Sequence, residues 1–80
     1  MFDFHEPEPP KVYWLDIRAG LSDVDRHEIY ADFETARHNF EVWKYDSRVM
    51  NAHGYVSLVE MPPDENGKYV VARELGDKQW

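Results

Sequence analysis

An α+β fold in the order ββαββ, one antiparallel sheet with a single helix packed on one face, is what this sequence predicts. Three observations carry the prediction. Tyr13, Leu15 and Ile17 alternate with Trp14, Asp16 and Arg18, the period of two of a half-buried strand. From Thr35 to Ala52 the chain has neither proline nor glycine, and its apolar residues recur at helical spacing. Further on, Asn66-Gly67 separates two segments rich in β-branched and aromatic residues, as in a tight hairpin.

Residues 1–11, MFDFHEPEPPK, read as an extended arm. Pro7, Pro9 and Pro10 remove backbone donors and favour polyproline-like conformations. Phe2 and Phe4 alternate, so the arm is either loose or docked by its tip. The domain proper spans 12–76. Its first strand, Val12 to Ala19, is closed by Gly20, and a polar connection runs from Leu21 to Arg26. His27 to Phe33 is the second strand, with Ile29, Ala31 and Phe33 inward and Glu28, Tyr30 and Asp32 outward; a short helix from Asp23 to Ala31 capped by Ser22 competes with it. Thr35 is the expected N-cap of the helix and Gly54 the residue just past its end. Ala36, Phe40, Trp43 and Met50 form the inward stripe, with Ser47 in the remaining slot. Val42, Tyr45, Val49 and Ala52 form a second stripe roughly opposite. A helix on one sheet buries a single face, so either Asp46-Ser47 breaks it and rotates its end or the second stripe meets something else. Tyr55 to Met61 follows as a strand with Val56 and Leu58 on one face and Tyr55, Ser57 and Val59 on the other, then Tyr69 to Leu75 as its hairpin partner. Residues 77–80 are a short tail, loose unless Trp80 docks.

With 80 residues, 16 acidic and 9 basic side chains and a net charge of −7, the chain has room for one small domain. Ordering that many residues costs on the order of 120 kcal/mol at about 1.5 kcal/mol each, and the 15% of aromatic residues must offset much of it by burial. Phe33, Phe40 and Trp43 are the leading core candidates. The acid excess argues against holding nucleic acid directly through its phosphates. No apolar run is long enough for a membrane span and no signal peptide opens the chain, which together imply a cytoplasmic location. Without cysteine there is no disulfide, thiolate metal site or cysteine nucleophile.

No catalytic constellation emerges. Ser22, Ser47 and Ser57 lie outside any nucleophile-elbow pattern, and His5, His27, His38 and His53 are scattered without the spacing that sets two ligands on one helical face. Asp23-Val24-Asp25-Arg26-His27-Glu28 gathers three carboxylates but lacks the further oxygens and glycine of a calcium loop. The expectation is therefore no enzyme, no cofactor and no metal; an enzyme would have to use His27 with Asp25 or Glu28.

Contact chemistry remains. The sheet face away from the helix is expected to gather Trp14, Asp16, Glu28, Tyr30 and Asp32 as a partner-binding set, aromatics between carboxylates that suit a partner rich in arginine. The same charges also serve a plain solvated face. A surplus of negative charge speeds encounter with a basic surface, and such surfaces are common where nucleic acid is handled. Short, acidic, cysteine-free, ββαββ and without catalytic residues, the chain resembles small phage-encoded inhibitors of bacterial defence, of the anti-CRISPR and anti-restriction type. The resemblance implies a non-enzymatic protein that inhibits or modulates a basic, nucleic-acid-handling partner by occupying its nucleic-acid-binding surface, in a bacterial host cell. The alternative is a small homodimeric structural or regulatory subunit pairing through Val42, Tyr45 and Val49 across a two-fold axis.

Overall fold

The computed structural model describes residues 10–80. Its elements are β1 (Val12–Arg18), β2 (Arg26–Tyr30), α1 (Phe33–Lys44), α2 (Ser47–Asn51), β3 (Tyr55–Met61) and β4 (Arg73–Gln79). The strands make one antiparallel sheet in the order β2-β1-β3-β4. The α+β class is as expected, but two helices stand where one was predicted.

The central strands follow the alternation of their sequences. Leu15 lies opposite Leu58 and Ile17 opposite Val56, and all four are buried on the helix side. Ala36 and Phe40 from α1, Val49 from α2 and Val24 from the β1–β2 connection complete the core. Val24, fully buried in a polar connection, carried no periodic signal. Gly76 sits opposite Leu58, where an added Cβ would lie 3.1 Å from the Phe40 ring; its missing side chain lets that ring settle on β4.

The helix breaks where Asp46-Ser47 offered a break. Tyr45 N–H donates to the carbonyl of Val42 at 3.3 Å and Asp46 N–H to that of Trp43 at 3.1 Å, closing α1 with a tightened turn. Asp46 then caps α2, accepting from the backbone N–H of Arg48 at 2.9 Å. The restart rotates the chain so that Val49, expected on the outer stripe, is fully buried, while Met50 is only half-buried. The N-cap of α1 is Asp32, three residues before the expected Thr35: its carboxylate accepts from Thr35 N–H at 2.9 Å and Thr35 Oγ1 at 2.8 Å. α2 ends with His53 in the left-handed region (φ 54°); His53 N–H donates to Met50 and Gly54 N–H to Val49, the paired bonds of a Schellman ending. Gly54 is required next, because a Cβ there would stand 2.2 Å from the Arg18 carbonyl oxygen.

Two further expectations give way. The hairpin does not turn on two residues: Asp64 N–H donates to the Lys68 carbonyl and Gly67 N–H to that of Asp64, with Gly67 at φ 80°, so a three-residue loop is closed by a left-handed glycine. Pairing with β3 begins at Arg73 opposite Glu60 and, past a register shift between Leu58 and Val59, continues to Gln79 opposite Tyr55, so the last strand is Arg73–Gln79 and not the expected 69–75. Residues 77–79, expected as a loose tail, are therefore strand. Trp80 docks, donating from Nε1 to the Lys44 carbonyl at 2.9 Å and from its backbone N–H to Gly54 at 2.9 Å. The arm's expected docking through Phe2 and Phe4 lies outside the described residues.

Candidate functional site: the open face of the sheet

Both helices lie on one face of the sheet, and no described element covers the other. Side chains directly opposite one another on paired strands share a face. Ile29, Trp14, Val59 and Glu74 thus form one transverse row across β2, β1, β3 and β4 on the open side, and His27, Asp16, Ser57 and Asp77 form the next. Val12 and Met61 extend the apolar row on one flank; Arg18, Tyr55 and Gln79 bound it on the other. Ile29 is 56% exposed. Trp14 stacks on His27, ring centroids 4.5 Å apart and planes 12° from parallel.

The expected binding set is divided by this register. Trp14 and Asp16 are on the open face as predicted. Glu28 and Tyr30 are not: Glu28 lies opposite Leu15 and Tyr30 opposite Tyr13, on the helix side. Tyr30 packs against the core and its hydroxyl donates to Glu28, which also lies 3.9 Å from Arg26. Asp32 is outside the sheet and caps α1. The expected inward trio fails in the same way. Ile29 faces out, Ala31 is exposed beyond the strand, and Phe33 opens α1, 38% exposed and tilted against Tyr13 at 5.6 Å.

The β1–β2 turn imposes this inversion. Asp25 Oδ1 accepts from the backbone N–H groups of Ala19 (2.6 Å), Gly20 (3.0 Å) and Leu21 (3.3 Å), and Val24 and Asp25 N–H both donate to the Leu21 carbonyl. That knot sets Ile17 opposite Arg26, and a one-residue change of register exchanges the faces of a whole strand. Arg26 brings its guanidinium to 4.9 Å from the Trp43 ring centre, with Arg48 at 5.6 Å. Long amphipathic side chains thus cover the margin of the core that the helices leave.

The carboxylates do not form an array. Seven of the nine lysines and arginines sit in ion pairs, with Asp16, Glu28, Glu34, Glu41, Asp46 and Glu60. Asp25, Asp32 and Asp64 are occupied by backbone N–H groups, which hold the Asp25 and Asp32 carboxyls below the usual aspartate range. Arg18 Nε comes to 3.1 Å of Asp16 Oδ1 but off the line of a hydrogen bond, so that contact is coulombic. Asp23, Glu65, Glu74 and Asp77 have no ion-pair partner among the described residues. Glu74 and Asp77 stand on the open face, along its β4 margin.

The outer helix stripe also shrinks. Val42 and Tyr45 are 56% and 63% exposed, Val49 is in the core, and Tyr45 meets Trp80 edge-on at 6.4 Å. His27 and Glu28, neighbours on a strand, point to opposite faces, and Asp25 is held in its turn, so the only acid–base grouping the sequence offered is separated. Among the described residues no cleft opens, no cluster of three metal-ligating side chains occurs, and no helix is long and apolar enough to cross a membrane. Comparison with protein-family models, curated proteins and solved structures gives no match to this chain.

Proposed function

We propose that this chain is a non-enzymatic acidic binding protein that inhibits or modulates a basic, nucleic-acid-handling partner, such as a bacterial defence complex, by covering its nucleic-acid-binding surface. The observation that carries the reading is the open sheet face. Trp14, flanked by Ile29 and Val59, is an apolar and aromatic centre, and Glu74 and Asp77 on its margin have no cation partner among the described residues. Interfaces draw most of their affinity from aromatic anchors of this kind, and uncompensated rim charge raises the rate of encounter with a surface of opposite sign. The contact on this reading is an apolar stripe with an acidic border rather than a ladder of carboxylates imitating phosphates.

The test uses the full chain as bait for basic nucleic-acid-binding proteins, followed by a competition in which each captured protein is offered labelled nucleic acid. Added chain should lower nucleic-acid binding, less so as salt rises. Trp14→Ala should weaken capture by roughly tenfold or more, the scale of an interface anchor. Captured proteins that keep their nucleic acid in the presence of excess chain would overturn the proposal.

A further inference from the structure

Beyond Met61 the β3–β4 hairpin runs on as a two-stranded ribbon with unlike edges. β1 stops at Val12, opposite Met61, so past that point no described strand pairs with the β3 arm, and with Pro62 and Pro63 it has no N–H to offer there. The β4 arm is Tyr69-Val70-Val71-Ala72, which is 41%, 42% and 64% exposed at its first three residues and carries no charge between Lys68 and Arg73. Val70 N–H donates inward to Pro62 and Ala72 N–H inward to Glu60. Alternation therefore turns the N–H and C=O of Val71 outward, on the side of β4 that pairs with no described strand. Proteins ordinarily blunt such an edge with charge, proline or a bulge. β4 has Glu74, Asp77 and Lys78 further along, and the opposite arm has its prolines; this stretch has neither charge nor proline, and only one extra residue between the Pro63–Tyr69 bridge and the Glu60–Arg73 pair interrupts it.

We infer that this edge pairs with the same edge of a second copy, antiparallel and centred on Val71. Pairing about Val71 sets Lys68 opposite Glu74 of the second copy, Tyr69 opposite Arg73, and Val70 opposite Ala72, each contact occurring twice. Lys68 and Glu74 both have no ion-pair partner among the described residues, so the self-pairing satisfies both. Cation and ring meet at the Tyr69–Arg73 pair, and like charges do not face each other between residues 68 and 74. The product is an isologous dimer with one continuous eight-stranded sheet. The inference leaves the apolar stripe of the open face free but takes Glu74 into the dimer contact, so Asp77 is the rim acid left for a partner; it moves the homodimer from the outer helix stripe to the sheet edge.

Because the chain has no cysteine, single-cysteine variants report the contact without background. Sedimentation of the full chain over a concentration series should show a monomer–dimer equilibrium. Mild oxidation should cross-link Val71→Cys but not Val42→Cys on the helix stripe, with circular dichroism confirming that both are folded. Lys68→Glu should weaken the dimer by roughly tenfold, since two attractive cross-strand pairs become repulsive, and Lys68→Glu/Glu74→Lys should restore it. A monomer at every concentration, cross-linking through Val42→Cys instead, or a dimer indifferent to Lys68→Glu would each overturn the inference.

Discussion

Asp25 organises the first turn of the sheet through a single oxygen. Three backbone N–H groups converge on Oδ1, and the donation from Ala19, opposed by partial desolvation, is the largest cause of a carboxyl held below its ordinary value of 3.8. The charged form is the one these donors favour, so the turn is most stable while Asp25 is ionised. A depressed folded-state pKa gives stability that is complete above the ordinary value and is lost as pH falls below it through the lower folded one. Denaturant midpoints measured from pH 7 down to pH 2 should therefore fall from about pH 4 downward. Asp25→Asn should lower the midpoint at pH 7 and flatten the acid limb; an unchanged acid limb would mean that the turn does not depend on the carboxylate. The residue types of a turn were legible here, but not which of three nearby acids held it, because Asp23, Asp25 and Glu28 differ only in where the backbone N–H groups point.

At the scale of elements, legibility followed the strength of the local period. β1 and β3 have five or more alternating positions against two neighbours each, and their faces were read correctly. The helix stripe from Ala36 through Phe40 to Trp43 was also visible, since it lies before the break. Beyond Tyr45 the period was misleading: Val49 falls on the stripe of Val42 at 100° per residue, yet it is buried because Asp46 restarts the helix at a new angle. The consequence is a sharp contrast between two chemically identical changes. Val49→Ala should cost roughly 2 kcal/mol, the transfer of two buried methyl groups with some cavity cost. Val42→Ala, on an exposed flank, should stay within about 0.5 kcal/mol. Thermal melts of the two variants decide it, since a continuous helix would give both valines the same small effect. β4 was displaced because its apolar run, 69–75, is not where its ladder lies: the regular pairing with β3 runs from Arg73 opposite Glu60 to Gln79 opposite Tyr55, through polar residues that gave no strand signal.

At the scale of the whole molecule, sheet register decides what the protein can present. Trp14 and Asp16 were identifiable as surface residues from β1 alone, but their neighbours on that surface depended on a five-residue edge strand whose alternation, Arg26-His27-Glu28-Ile29-Tyr30, has one aliphatic residue to orient it. Burying that aliphatic residue is the natural choice from sequence. The structure instead keeps Tyr30 against the core, its hydroxyl on Glu28, and leaves Ile29 beside Trp14 on the open face, because the Asp25 turn fixes the register before the edge strand has any choice. An exposed isoleucine next to a tryptophan is costly to leave in water, and the open face retains it along with Val59 and Met61. With Ile29 on the open face, Ile29→Ser should change stability by no more than about 0.5 kcal/mol while weakening partner capture alongside Trp14→Ala. Tyr30→Ala should cost roughly 1.5–3 kcal/mol by exposing the core margin and leaving Glu28 without its donor. Equilibrium denaturation of the two variants separates the registers cleanly: the opposite order of effects would place Ile29 in the core, return Glu28 and Tyr30 to the outer surface, and dissolve the apolar stripe on which the binding face is built.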